Sequence, residues 1–309
     1  MSTNQKTITK KILFDGLGLH SGLPIKMYLE PAEIDSGILF IRTDLKKREK
    51  IYANWKNIVS TNLCTKISNN NGCHISTVEH LMFALYSLGI TNLNIYINGP
   101  EVPILDGSAK IFIEQILSAG LVDQNKYTNQ IRIKKSFEIK DKKKFIKFEP
   151  TNKKYLEIDY TINYDDFFIK KQNFYLTNVQ KNYHEVFTCR TFCHQEDLEK
   201  IFSMGLAKGG SLDNAIVISG TKVLNQDGLR FPNEFVRHKI LDCIGDLYLS
   251  GFFINGKIIC NQGGHELTSH LLKEIFKSKN NFDHYVNEAD NENSKIKNHH
   301  LKKHIEAAV

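Results

Sequence analysis

A chain of 309 residues is long enough for two compact domains or one large one. Apolar residues at 41% and charged residues at 24% are the balance of a globular protein, and no apolar run approaches a membrane span. The net charge of +7 suits a phosphorylated ligand as well as nucleic acid and selects neither.

Strand-like segments open the chain at 7–14, 25–30 and 38–42. Between the first two lies Gly16-Leu-Gly-Leu-His-Ser-Gly22. It lacks the lysine and spacing of a P-loop and precedes a strand, so it reads as a tight turn bringing His20 near a site. Residues 75–88 form the first helix, stopped by Gly89 in the usual position. Ser76 and Glu79 have capping-box spacing. After His80 nearly every residue is apolar, so the helix is buried and its first turn carries its only ionisable groups. Adjacent helical residues point about 100° apart. Glu79 and His80 therefore divide as one ligand and one group reaching a water, rather than gripping one ion together.

A strand at 93–97 leads into a turn-rich loop, Asn98-Gly-Pro-Glu-Val-Pro-Ile-Leu-Asp-Gly-Ser108, and a helix at 109–119. The Asp-Gly-Ser sequence fits a site edge and a helix start equally. Residues 122–130 are polar and read as a linker. Beyond them the order repeats in outline, with strands at 131–137, 145–149, 155–160 and 173–176, then a helix near 195–204. A strand at 214–218, a helix at 233–250, strands at 252–254 and 257–259, and a helix at 265–277 complete it. Strands first and helices afterwards, twice, predicts an α+β fold of two similar domains, 1–126 and 127–285. A polar flexible tail, 286–309, follows; its His299, His300 and His304 have tolerable metal spacing but read as solvated.

The helix at 233–250 carries the densest chemistry. Steps of four put His238, Asp242 and Asp246 within roughly 80° of one another. An imidazole and a carboxylate so spaced can grip one metal ion from a single rigid element. With Glu234 and Lys239 the same residues also fit the wet face of an amphipathic helix. Against that, Val236, Ile240, Leu241, Ile244, Leu247 and Tyr248 span roughly 200°, wider than the stripe of a surface helix. Such a helix lies between two layers, where acidic groups need partners. Two histidines and an aspartate, His80, His238 and Asp242, meet the ligand count of a zinc hydrolase, leaving Glu79 to take a proton from water. His265 after Gly263-Gly264 joins the candidates. Nothing in the spacing forces 80 and 238 together.

The six cysteines form no CxxC pair and no disulfide framework. Cys189 and Cys193, four apart, are a weak zinc signal. The N-terminus has no apolar core of a signal peptide. These features predict reduced thiols in a soluble, cytoplasmic protein without stable membrane insertion.

The chain carries, in order, Ser76-Thr-Val-Glu-His80, Gly99-Pro-Glu-Val-Pro-Ile-Leu-Asp-Gly-Ser108, Arg190-Thr-Phe192, Asp227-Gly-Leu-Arg-Phe231, Val236-Arg-His-Lys-Ile-Leu-Asp-Cys-Ile-Gly-Asp246 and Gly264-His265. With these motifs the stretch from about residue 7 to 280 resembles the UDP-3-O-acyl-N-acetylglucosamine deacetylases, zinc enzymes of the committed step of lipid A biosynthesis. The resemblance implies a hydrolase that removes the N-acetyl group of a UDP-linked acylated sugar. It implies one Zn2+ per chain on His80, His238 and Asp242, a donor set that also accepts Fe2+. Glu79 is then the general base and Thr191 an oxyanion donor. His265 is the general acid with Asp246 orienting it, and Lys239 faces the diphosphate. The implied fold packs helices between two β-sheets and gives each domain a small insert. The second insert, a βαβ unit near 190–222, forms an apolar passage for the acyl chain. Phe192, Leu198, Ile201, Phe202, Met204 and Leu206 fall there, with Gly210, Ala215 and Val217; an ordinary small core would use the same residues.

The chain departs from the pattern at Cys193-His194, where a glycine and an apolar residue are expected. It departs again at Cys260-Asn-Gln-Gly-Gly-His265, where relatives carry an aromatic residue and a lysine. The second falls on an expected substrate or phosphate contact near 261–262, and the metal set is untouched. Cys64 matches a cysteine kept near the metal and equally fits a small buried apolar residue. Ala307-Ala-Val309 resembles tails that mark some relatives for turnover, implying a cellular protease as partner. A nucleic-acid module would need aromatics interleaved with Lys and Arg on strands, of which 145–148 and 155–160 offer only a faint version. A decayed binding protein should have lost at least one of Glu79, His80, His238, Asp242 and His265, and a related deacetylase acting on another N-acetylated sugar stays open.

Overall fold

Short alternating segments build the first half: β1 (Asn4–Ile8), β2 (Ile12–Leu17), β3 (Pro24–Pro31), β4 (Ile38–Arg42) and β5 (Glu49–Tyr52). An insert of β6 (Ile58–Ser60), β7 (Lys66–Ser68) and β8 (His74–Ile75) follows. Then come α1 (Glu79–Leu88), β9 (Leu93–Ile97), α2 (Lys110–Ala119) and β10 (Leu121–Tyr127). The second half has β11 (Asn129–Ile133), β12 (Phe137–Asp141), β13 (Lys144–Glu149), β14 (Leu156–Asn163), β15 (Lys171–Leu176) and the short α3 (Val179–Asn182). Its insert is β16 (Phe192–His194), α4 (Leu198–Ser203), β17 (Ile216–Ser219) and β18 (Lys222–Val223). It closes with α5 (Glu234–Tyr248), β19 (Phe253–Asn261), α6 (His265–Phe276) and β20 (Phe282–Val286). The computed structural model describes residues 4–165 and 168–286. The expected tail, with its three histidines and Ala307-Ala-Val309, lies outside the described residues after Val286.

The two halves share one strand topology. In the first, the order is β2-β3-β9-β4-β5, with β3 antiparallel and β4 parallel to the central β9. In the second, β12-β13-β19-β14-β15 repeats it inside a seven-stranded sheet, with β13 antiparallel and β14 parallel to the central β19, whose first residues also pair with β11 and through it β20. The helices fall at matching points: α1 and α5 precede the central strand, and α2 and α6 follow it. The inserts also match, each standing between the fifth strand of its sheet and the next long helix.

One continuous apolar core runs through both halves. Helix α2 lies on the first sheet, where Phe112 meets Phe14 at 5.1 Å between ring centroids. Helices α5 and α6 lie on the second sheet, and α1 packs against both α2 and α5. The expected α+β layering, with helices between two sheets and an insert in each half, is therefore present. Gly245 sets the α1–α5 approach: a Cβ there would stand 2.0 Å from the Glu79 carbonyl oxygen. Only a residue without a side chain lets the start of α1 press this closely onto α5. Towards the other end of the pair, Tyr86 and Tyr248 meet edge to face at 5.3 Å.

Some local expectations are corrected. The supposed linker at 122–130 is largely β10, antiparallel to β1. It is held through Gln124, which accepts from Asn92 Nδ2 at 2.6 Å and donates to the Ala32 carbonyl at 2.8 Å. Most of its side chains are exposed, so it lacks the apolar alternation by which a half-buried strand is read. The supposed pair of strands at 252–254 and 257–259 is the single strand β19. Asn255-Gly256 resembles a hairpin turn, yet Gly256 is there because a Cβ would lie 2.2 Å from the Phe148 ring. Among the described residues no helix is long and apolar enough to cross a membrane.

Candidate active site

The start of α1 differs from the expected capping box. Ser76 lies in an extended bridge to Glu101, Thr77 has φ of +57°, and the N-cap is Val78 with no side-chain cap bond. Glu79 is thus the first residue of the helix, too early to serve as the reciprocal carboxylate of a box. Its Oε2 instead accepts the Thr65 N–H at 3.1 Å. The buried Glu101 carboxylate accepts from Thr77 Oγ1 at 2.8 Å and from the N–H groups of His20 and Ser21 at 2.9 and 2.8 Å. That ties the glycine-rich turn to the head of α1 and puts His20 on the cleft wall, as expected.

Three side chains converge beside Glu79. His80 Nε2 lies 3.5 Å from Asp242 Oδ1, and His238 Nε2 lies 3.4 Å from the same oxygen. One ligand atom from each of His80, His238 and Asp242 lies within 4.8 Å of the others, and all three residues are buried. His238 Nδ1 faces the Cys189 carbonyl at 3.0 Å. A carbonyl only accepts, so Nδ1 carries the proton and Nε2 presents its lone pair. Burial pushes the His238 imidazolium down to about 3, keeping the ring neutral as a ligand must be. Burial would raise the Asp242 carboxyl, but the Lys239 ammonium on its Oδ2 helps hold it well below the usual range. Two imidazoles and one carboxylate, each imidazole nitrogen 3.4–3.5 Å from the carboxylate oxygen against roughly 3.3 Å between ligands on a tetrahedral zinc, fit a divalent cation with one position open.

Around this set stand groups that can move protons. Burial raises the Glu79 carboxyl against the pull of His265 and His80. His265, the first residue of α6, has Nδ1 2.7 Å from Asp246 Oδ2 and Nε2 3.9 Å from Glu79 Oε1. Burial would push its imidazolium down, but Asp246 overrides this and holds it up at about 9. Asp246 Oδ1 accepts from Thr65 Oγ1 at 2.6 Å. Lys239 Nζ donates to Asp242 Oδ2 at 2.6 Å and lines the same cleft.

Thr191 reaches the cleft through a chain of backbone anchors. Its N–H donates to the Gly107 carbonyl at 2.8 Å. Gly107, at φ of +81°, would set a Cβ 2.0 Å from the Asn214 carbonyl, so this loop is pressed onto the second insert. Asp106 accepts from Ser108 and from Arg230 Nη1 at 2.9 Å; it latches the loop and does not line the cleft. The buried Arg190 binds Glu234, Asp227 and the Gly228 carbonyl, fixing the strand that presents Thr191 and Phe192.

Two cavities of about 350 and 360 Å³ share Leu19, His20, Leu63, Thr191 and Phe192 as a common wall. The first is polar and holds Glu79, His80, His238, Asp242 and His265. The second is apolar and runs into the βαβ insert, where β16 and β17 are parallel across α4. Phe192, Leu198, Ile201, Phe202, Ala215 and Val217 line it, with Gly210. Leu206 and Met204 are not on its wall: Met204 is 45% exposed to solvent, and after the turn at Gly205 it is Ala207 that lines the cavity. Lys144, Asp141, Tyr164 and Leu63 also line the cavities without having been foreseen. The run at 142–144 reads as a solvated turn, but the β12–β13 hairpin brings Lys144 to the rim. At the departure before His265, Gln262 lines the cleft with its N–H on the Thr161 carbonyl at 2.7 Å. Burial, with Glu79 beside it, pushes the Cys64 thiol up to about 12, so it sits as a small neutral side chain. The Cys189–Cys193 zinc signal is not supported: the Cys189 carbonyl serves His238 and Cys193 lines the apolar passage.

The family model described as UDP-3-O-acyl N-acetylglycosamine deacetylase, LpxC, matches residues 5–277. The chain is 42% identical over 279 residues to the UDP-3-O-acyl-N-acetylglucosamine deacetylase of Haemophilus ducreyi, covering 89% of this chain and 91% of that protein. It is 42% identical over 274 residues to the protein of the same name from Pasteurella multocida, covering 88% and 89%. With that of Campylobacter fetus it shares 41% over 280 residues, covering 90% and 94%. On a match of this extent, over both halves and across every element that builds the cleft, the chain belongs to the UDP-3-O-acyl N-acetylglycosamine deacetylase family.

Proposed function

We propose that the cleft hydrolyses the acetamide of UDP-3-O-acyl-N-acetylglucosamine, giving acetate and UDP-3-O-acyl-glucosamine, the committed step of lipid A biosynthesis. The observation that supports this best is the join between a polar cleft and an apolar passage at Thr191 and Phe192. A polar sugar nucleotide carrying one acyl chain needs both compartments at once. A UDP-linked substrate and six free cysteines support a cytoplasmic location.

His80, His238 and Asp242 would hold the cation, which we take as Zn2+, with Fe2+ accepted by the same donors. When bound, it polarises the amide carbonyl and makes the attacking water more acidic. Glu79 takes a proton from that water as its oxygen bonds to the carbonyl carbon. Thr191 donates its hydroxyl to the oxyanion. His265 gives its Nε2 proton to the leaving nitrogen as the C–N bond breaks, while Asp246 keeps the ring turned with Nε2 towards Glu79. Glu79 is left protonated and His265 neutral, and their 3.9 Å separation allows the proton to return with little rearrangement. Lys239 and Lys144 offer positive charge to the diphosphate from the cleft wall.

Paired variants test the reading. Purified protein should hold about one Zn2+ per chain, retained in Glu79→Ala and lost or much weakened in Asp242→Ala. Acetate release should fall by about 10²–10⁴-fold in Glu79→Ala. Full activity in Glu79→Ala would remove the proposed base, and metal retention in Asp242→Ala would remove the proposed site.

A further inference from the structure

Thr65 stands in the turn between β6 and β7, in the insert of the first half, and is 1% exposed. Its backbone N–H donates to Glu79 Oε2 at 3.1 Å, and its hydroxyl donates to Asp246 Oδ1 at 2.6 Å. The two carboxylates come from different halves of the chain and serve opposite ends of the proposed proton transfer. Thr65 also accepts the Val78 N–H at 3.5 Å, so it is joined to the entrance of α1 as well.

The chemistry of Asp246 shows why the hydroxyl matters. A carboxylate turns readily about its last torsion, whose energy wells are broad. Asp246 is held at both oxygens, by Thr65 at Oδ1 and by His265 at Oδ2, the latter at 2.7 Å. Together these two contacts fix the plane of the carboxylate, and that plane fixes the imidazole. We infer that Thr65 is a positioning residue for the deacetylation, its hydroxyl orienting the Asp246–His265 pair while its N–H orients Glu79. This rests on the reading of Glu79 and His265 as base and acid.

The side-chain arm can be tested without touching the backbone arm. Valine keeps the shape and the N–H but leaves Asp246 Oδ1 buried without its donor; serine keeps the donor. Thr65→Val should lower kcat on the order of 10–100-fold with little change in KM and an unchanged metal content. The alkaline limb of its pH profile should move to lower pH, because a carboxylate free to turn about its last torsion no longer keeps Oδ2 on Nδ1, and the imidazolium loses part of that hydrogen bond. Thr65→Ser should recover most of the lost kcat. A Thr65→Val enzyme with the parent kcat and an unmoved limb would overturn the inference. So would equal losses in the valine and serine variants, which would mark a packing role. His265→Ala, assayed alongside, separates the two claims. If it kept full activity the acid assignment itself would fall, whereas an inactive His265→Ala beside an unaffected Thr65→Val would overturn only the role of Thr65.

Discussion

His265 begins α6, where both burial and the positive end of the helix dipole oppose a charged imidazole. Asp246 reverses that preference, with the charges of Glu79 and Asp242 adding to it, and holds the ring protonated up to about 9. As the proposed general acid, His265 must carry its proton, so activity should be retained through neutral pH and fall as pH rises through about 9. The same pair contributes stability that is fully present below the ordinary histidine value of 6.5 and lost as pH rises through about 9. In Asp246→Asn burial acts unopposed by its largest counterweight, and the alkaline limb of kcat/KM should move towards or below neutrality. A limb that stays in place would show that Asp246 does not charge this ring. His238 and Asp242 could be paired from the sequence because helix geometry alone sets the distance between residues four apart. Thr65 could not, since its partner Asp246 lies 181 positions away and only the folded chain brings them together. Glu101 was hidden for the same reason: its buried bonds run to the glycine-rich turn some 80 residues earlier.

At the level of elements, the site exists because two helices cross closely. Helix α1 brings Glu79 and His80, and α5 brings His238, Asp242 and Asp246. Their approach depends on Gly245, since the atom that a Cβ would strike at 2.0 Å is backbone and cannot swing aside. Gly245→Ala should therefore part the helices, costing about 1–3 kcal/mol by overpacking. More tellingly, it should weaken metal binding and kcat together, because His80 would move relative to His238 and Asp242. Denaturant unfolding beside a metal titration checks this, and unchanged metal affinity would show that the crossing tolerates a methyl group. The wide apolar arc of α5 was legible because burial on several sides leaves its mark directly on the sequence. Strand β10 was not, because an exposed ribbon carries no such mark. The false capping box at Ser76 and Glu79 shows a limit of spacing as evidence: the same two residues fit the motif, but Ser76 is already committed to a bridge with Glu101.

For the molecule as a whole, the repeated five-strand topology explains why the strand-then-helix order could be read twice while no residue-level repeat was visible. The topology is shared, but the surfaces that meet between the halves carry different chemistry. His80 comes from the first half, and His238 and Asp242 come from the second, so a bound cation would bridge them. Ligand binding to the folded state alone adds stability by mass action, about 4 kcal/mol when the free ligand stands a thousandfold above Kd. Removing the metal with a chelator should accordingly lower Tm by several degrees, and restoring Zn2+ should recover it. The decisive comparison uses His80→Ala and Asp242→Ala, each lacking a proposed ligand from one half. Both should start at a reduced Tm and respond little to either chelator or Zn2+, whereas Glu79→Ala, with all three ligands intact, should keep the parent response. If the chelator lowered Tm equally in all of these proteins, the stabilising metal would have to lie elsewhere, and the halves would be joined by packing at the α1–α5 crossing alone.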